Sequence, residues 1–196
     1  MVAIIPKAKT LTDYLENQPD DGVVYELENG EWLKMPPESD LNRRIATFLL
    51  VYFAQLGIPP RLLSQKTEVA VVSAKVSLRV PDLIVLSEEA ALALENATRS
   101  TIMQDMPPPE LVVEVVSPGT ENINRDYRYK RAQYQAQGIN EYWIVDPLSN
   151  KVIVLVMNEG LYDETIFTGL DVISSPLLQR YSSDEPLTVE QVFQKS

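Results

Sequence analysis

Residues 111–120 read LVVEVVSPGT, and the position of Glu114 in this run decides how the whole chain is read. Side chains alternate along a strand, so Leu111, Val113 and Val115 share one face while Val112, Glu114 and Val116 share the other. Both faces are apolar apart from one acid, which is the pattern of a strand covered on two sides. An isolated carboxylate in such a place costs several kcal/mol unless a cation compensates it or it takes up a proton. The run therefore predicts a buried central strand carrying a charge whose partner lies elsewhere in the chain.

On the N-terminal side of this strand, Asn29-Gly30 sits between the alternating runs VVYELE and EWLKM, the strongest short hairpin signal. A short helix is predicted before it, with Thr10 or Thr12 as cap. A longer one follows, capped by Ser39 or Asp40, with Leu41, Ile45, Phe48, Leu49, Tyr52 and Phe53 at helical spacing and Gly57 as the stop. Residues 61–72 and 76–86 read as two antiparallel strands, the second holding Asp82. Residues 87–109 read as a short helix and a rigid proline-rich approach to the central strand. On its C-terminal side a helix runs from about Thr120 to a stop at Gly138. EYWIVDP and KVIVLVM are strands joined by a turn at residues 147–150, and a β-rich tail with a helix near residues 189–194 closes the chain. This order predicts one α/β domain with a mixed β-sheet flanked by helices.

Composition narrows the chemistry. The 196 residues contain no histidine and no cysteine, so thiolate nucleophiles, disulfides, imidazole bases and imidazole or thiolate metal ligands are all excluded. A metal held here must sit on oxygens, which favours Mg²⁺, Mn²⁺ or Ca²⁺. A formal net charge of −11 argues against a protein that coats nucleic acid, while leaving room for a local basic patch. The opening MVAIIPKAKT lacks the apolar run of a secretory signal, and the most apolar helix candidate, residues 45–56, is too short to span a bilayer. A cytoplasmic protein with no membrane partner is expected.

Three segments point to one site. RVPDLIVL presents Asp82 directly after Pro81, LVVEVV presents Glu114, and the next helix presents Lys130. Two acids and a lysine suit a divalent cation: the carboxylates hold the ion, which acidifies a bound water, and the ammonium offsets developing negative charge. Plainer readings stand beside this one. Asp82 also reads as a residue that only starts a strand, and Lys130 as half of a solvated i, i+4 pair with Asp126.

PD in one strand, E-x-V followed by SP-x-T, a helix with D-x-x-x-K-x-x-x-Y and then GINEYWIVDP together resemble the Uma2 family of bacterial endonucleases. The resemblance extends to YELENGEW and to SPLL near the C-terminus, and so covers most of the chain. It implies a restriction-endonuclease-like core, whose signature is PD followed at a distance by (D/E)-x-K. Pro81-Asp82 matches the first half and Glu114 the second, but Val116 stands where the lysine belongs. The resemblance implies that Lys130 supplies it from the following helix. It implies a catalytic set of Asp82, Glu114 and Lys130, with Mg²⁺ or Mn²⁺ on Asp82, Glu114 and the backbone carbonyl of Val115. Asp126, Tyr134 and Glu31 take supporting positions, and two copies form a homodimer. Where the family often has histidine, this chain has Asn42.

A nucleic-acid substrate, with DNA favoured, needs cations beyond Lys130. Arg125, Arg128 and Arg131 surround a single acid on the same helix, and Arg43 and Arg44 add to them, although such a run is also the usual make-up of a solvated helix face. The competing expectation from another class is a catalytically inactive, oligomeric interaction module that keeps the fold. A pair of glycosidase carboxylates is a third, for which no sugar-sized cleft is apparent. Geometry separates them: a nuclease needs Asp82, Glu114 and Lys130 within reach of one ion and its water.

Overall fold

The structure, a computed structural model, describes residues 10–17, 21, 23–73, 77–181 and 185–193. Helix α1 (Leu11–Glu16) starts at Thr10, whose hydroxyl accepts from the Asp13 N–H while the Asp13 carboxylate accepts from the Thr10 N–H. Strands β1 (Tyr25–Glu28) and β2 (Glu31–Lys34) form the expected hairpin. Asn29 and Gly30 both take positive φ, 50° and 82°, as the tight turn requires. Ser39 caps α2 (Asp40–Gln55), which buries Ile45, Ala46, Leu49 and Phe53.

A 3₁₀ turn at Pro60–Leu62 leads into β3 (Leu63–Ser64), β4 (Glu68–Val71), β5 (Ser77–Arg79) and β6 (Leu83–Val85). Then come α3 (Glu88–Leu94), β7 (Thr101–Ile102) and β8 (Leu111–Val115). Helix α4 (Thr120–Asn124) runs through a π-helical stretch, Arg125–Lys130, into α5 (Arg131–Ala136). Strands β9 (Glu141–Asp146), β10 (Lys151–Asn158) and β11 (Leu161–Thr168) form a meander, followed by α6 (Pro176–Arg180) and α7 (Val189–Val192).

The strands form two mixed sheets where the sequence predicted one. The first has the order β2-β1-β5-β4-β7 and the second β11-β10-β9-β8-β6-β3. Each of the two long runs read as single strands is divided. Residues 61–72 give β3 to the second sheet and β4 to the first, and residues 76–86 give β5 to the first and β6 to the second. The second break is at Val80-Pro81-Asp82. Proline has no N–H for a ladder and restricts the residue before it, so the chain leaves one sheet there and enters the other. Asp82 consequently precedes β6 instead of lying within a strand. Ala74 and Lys75 of the predicted separation, Val76 at the start of the second predicted run and Gln194 of the predicted last helix lie outside the described residues.

β8 is buried along its whole length, antiparallel to β6 on one side and parallel to β9 on the other. A parallel pair needs a long crossover. The continuous helix from Thr120 to Ala136 is that crossover, and it carries Asp126, Lys130 and Tyr134 inward. Residues of both sheets, such as Val69 and Ile102 of the first and Val113 and Trp143 of the second, share one apolar core. No helix among the described residues is long and apolar enough to cross a membrane.

Buried Glu141 fastens the C-terminal segment to β9. It accepts from the Leu177 N–H at 2.5 Å and from the Trp143 indole at 3.2 Å. Glu141→Ala leaves both buried donors without a partner and is expected to cost about 2–3 kcal/mol, measured by urea unfolding. A loss below about 0.5 kcal/mol, the range of an ordinary surface change, would refute the anchoring role.

Candidate active site

The site forms where the two sheets meet under the crossover helix, and strand register explains why its charges converge. In the second sheet Leu83 is opposite Val113, so one step further Asp82 faces Glu114 on the same side. In the first sheet Leu27 is opposite Leu78, so one step further Glu26 faces Arg79. The crossover helix brings Lys130 between the two pairs. Its ammonium lies 2.7 Å from Glu114 Oε2, 3.4 Å from Glu26 Oε1 and 3.4 Å from Asp126 Oδ1. Lys130, Glu26 and Glu114 are all almost fully buried.

Each acid has further partners. Glu114 Oε1 accepts the Tyr134 hydroxyl at 2.6 Å, and Asp82 Oδ2 accepts the Val115 N–H at 2.6 Å. Glu26 Oε2 accepts from Arg79 Nη1 at 2.8 Å. Arg79, with no exposed surface, also donates from Nε to Gln133 Oε1 at 2.9 Å. The Val115 carbonyl accepts from Asn42 Nδ2 at 3.1 Å, and the same amide reaches Ser117 Oγ at 3.1 Å.

The cluster holds more acid than base. Glu26, Asp82, Glu114 and Asp126 face Lys130, Arg79 and the partly buried Arg125. Burial works against the Glu26 carboxylate, but Lys130 and Arg79 outweigh it and hold the group below the usual range. Burial dominates at the other pair. It pushes Glu114 up to about 8 against the pull of Lys130, with Asp82 and Asp126 adding to the rise. It pushes Asp82 up to about 6 against Lys130 and the Val115 N–H. Burial alone would favour neutral Lys130, yet the surrounding carboxylates raise its affinity for the proton. The ammonium is therefore a firm cation, and the Asp82–Glu114 side is short of positive charge.

That shortage bears on whether a divalent cation fits. Among the described residues no group of three acids converges as a ready metal cage. Asp82 and Glu114 nonetheless offer two carboxylates on one side of adjacent strands, and Mg²⁺ characteristically takes one or two with waters. The Val115 carbonyl keeps a second lone pair beyond the one given to Asn42. Asp126 Oδ1 is buried with no hydrogen-bond partner. An oxygen-only donor set with excess negative charge fits a hard divalent ion. A groove of about 910 Å³ lined by residues including Leu63, Thr67 and Leu86 opens beyond the other end of β6 and shares no residue with this cluster.

Asp82, Glu114, Lys130, Asp126 and Tyr134 lie in one cluster. Lys130 and Asp126 are not a solvated pair: both are buried, and Lys130 is the cation nearest Glu114. Glu31 stands apart, exposed on β2 opposite Glu28. The hairpin acid at the site is Glu26, which the sequence reading passed over together with Arg79. Each lies on a strand face that the sequence marks as polar, Glu26 with Glu28 and Arg79 with Ser77, so neither stands out as Glu114 does among its valines. The arginines are dispersed. Arg43 and Arg44 pair with Asp40 at 2.7 and 3.6 Å, Arg131 pairs with Glu164, Arg125 leans on Asp126, and Arg128 is exposed.

Comparison with known proteins bears on the family and the fold. The Uma2 family model, described as "Putative restriction endonuclease", matches residues 11–190. Among solved structures, a protein of Anabaena variabilis described as "a putative nuclease belonging to DUF820" is similar with a TM-score of 0.66 and 16% identity, covering 94% of this chain and 97% of the other. At that identity the likeness concerns the fold. A search of curated proteins finds no match.

Removing the shared cation tests the cluster without reference to activity. Lys130→Met leaves buried carboxylates facing one another and is expected to cost about 3–5 kcal/mol in chemical denaturation. A solvated surface pair would lose less than about 1 kcal/mol, and a loss that small would contradict the buried geometry.

Proposed function

The chain belongs to the Uma2 family, and on that premise we propose that it hydrolyses phosphodiester bonds, of DNA in the first instance, with the help of a divalent cation. The observation that carries this reading is the contact of Lys130 Nζ with Glu114, at 2.7 Å, on the side of the sheet that Asp82 shares. An acid at the entry to one strand, an acid within the neighbouring strand and an ammonium from the next helix are the parts a restriction-endonuclease-like centre uses.

Asp82, Glu114 and the Val115 carbonyl would hold Mg²⁺ or Mn²⁺, which supplies Lewis-acid polarisation of phosphate and a more acidic bound water. The protein's own groups do the rest. The Val115 N–H fixes the Asp82 carboxylate, and the Tyr134 hydroxyl fixes Glu114. Lys130 stays protonated among its carboxylates, so it serves as a fixed positive charge and donor for the phosphorane and not as a base. Arg128, with Arg43, Arg44, Arg125 and Arg131, supplies contacts to the phosphate backbone.

Two features favour a second reading, an inactive interaction module: Asn42 occupies the position where the family often has histidine, and most of the arginines are engaged by the protein's own acids. A homodimer is compatible with both readings. The eight-residue β11 is the outer strand of its sheet, with Leu161 and Ile166 exposed, and a second copy would cover that edge. A monomeric mass in light scattering at high micromolar concentration would remove the dimer.

The deciding experiment is cleavage of plasmid, linear duplex, single-stranded DNA and RNA with Mg²⁺, Mn²⁺ or chelator. Cation-dependent cleavage is expected, reduced at least about a hundredfold in Lys130→Ala, while cation affinity by calorimetry stays near wild type. Asp82→Asn is expected to lose affinity and activity together. An inert wild-type protein that also binds no divalent cation would sink the nuclease reading and leave the interaction module.

A further inference from the structure

The site contains a closed circuit of side chains that the nuclease signature does not include. Lys130 meets Glu26 Oε1 at 3.4 Å, Glu26 Oε2 accepts from Arg79 Nη1 at 2.8 Å, and Arg79 Nε donates to Gln133 Oε1 at 2.9 Å. Gln133 lies three residues beyond Lys130 on the same continuous helix, so the circuit begins and ends there. Glu26 is its pivot. Both its oxygens are engaged, because Oε1 also accepts the Val80 N–H at 3.4 Å. Val80 is the residue before Pro81-Asp82, at the break between the two sheets. One carboxylate thus touches the ammonium and also the backbone that delivers Asp82.

We infer that Glu26, locked by Arg79, is a positioning residue that sets where the Lys130 ammonium stands relative to Glu114. A lysine side chain has four rotatable carbons, and its charge alone does not choose among neighbouring carboxylates. Asp126 lies on Lys130's own helix and Glu114 on the second sheet. Glu26 on the first sheet pulls from a third direction and balances them. Arg79 prevents Glu26 from turning, and Gln133 prevents Arg79 from turning. This inference rests on the nuclease reading for its catalytic consequence and on geometry alone for its structural one.

The test uses Glu26→Gln, which keeps volume and an acceptor oxygen but removes the charge that attracts Lys130. In its crystal structure Lys130 Nζ is expected to leave its place by more than about 0.5 Å, the tolerance of a productive site, and to turn toward Asp126. Turnover per folded molecule is expected to fall about a hundredfold, as for an ångström-scale misplacement, with KM for DNA and Mn²⁺ affinity within about threefold of wild type. Gln133→Ala, a milder cut in the same circuit, is expected to lower turnover about tenfold with KM again unchanged. A purely structural role would lower stability and leave turnover per folded molecule intact, and that result overturns the inference. So does an unmoved Nζ in Glu26→Gln. If wild type cleaves nothing, the nuclease reading fails separately, and the position of Nζ still decides the role of Glu26.

Discussion

A single ammonium in contact with three carboxylates, one on each sheet and one on its own helix, is the interaction on which the rest of the structure depends. A buried carboxylate is tolerated only when paired, and Glu26 and Glu114 belong to different sheets with no ladder between them. Lys130 satisfies both at once, so the crossover helix can dock only in the register that inserts it there. The helix follows that demand: a π-helical stretch spans Arg125–Lys130, widening the turn that carries Asp126 and Lys130 inward. Such clusters add little to stability compared with apolar packing of the same volume, and their effect is to specify one arrangement.

Pro81 provides the second constraint. Without the break at Val80-Pro81-Asp82, β5 and β6 would be one strand, both sheets would be one, and Asp82 would be locked in a ladder. With it, Arg79 ends one sheet facing Glu26, and Asp82 enters the other facing Glu114. A run of four residues thus sets a cation facing Glu26 and an acid facing Glu114, the two glutamates that Lys130 joins.

Local chemistry made much of this legible in advance. Asn29-Gly30 demanded a tight hairpin, Ser39 and Gly57 bounded α2, and the double-faced valine pattern around Glu114 required burial and a partner. What could not be read was pairing at a distance. Nothing in residues 61–72 says that its two halves join different sheets, because each half has only local strand propensity and the choice depends on which neighbours arrive. Glu26 and Arg79 escaped notice for a related reason. Each looks like an ordinary polar position on a strand with one wet face, and only the crossover helix, lying over the seam, makes that face dry. Glu31 was the more conspicuous acid because it follows the turn, yet the period of two puts Glu26 inward and the edge position of β2 leaves Glu31 in solvent.

The acidity of the chain bears on how such a site would meet a polyanion. A net charge of −11 offers no long-range attraction to nucleic acid, so association has to rely on cations within a Debye length of the site. Arg43 and Arg44 are exposed and pair with Asp40, and half-buried Arg131 pairs with exposed Glu164. Exposed pairs of this kind are worth less than about 1 kcal/mol, so exchanging the protein's carboxylate for a phosphate costs little. Arg79 is the opposite case. It is fully enclosed, committed to Glu26 and Gln133, and closed to substrate. The arginines thus divide by burial into those that can be lent to a ligand and one that cannot, and the one that cannot holds the site in shape.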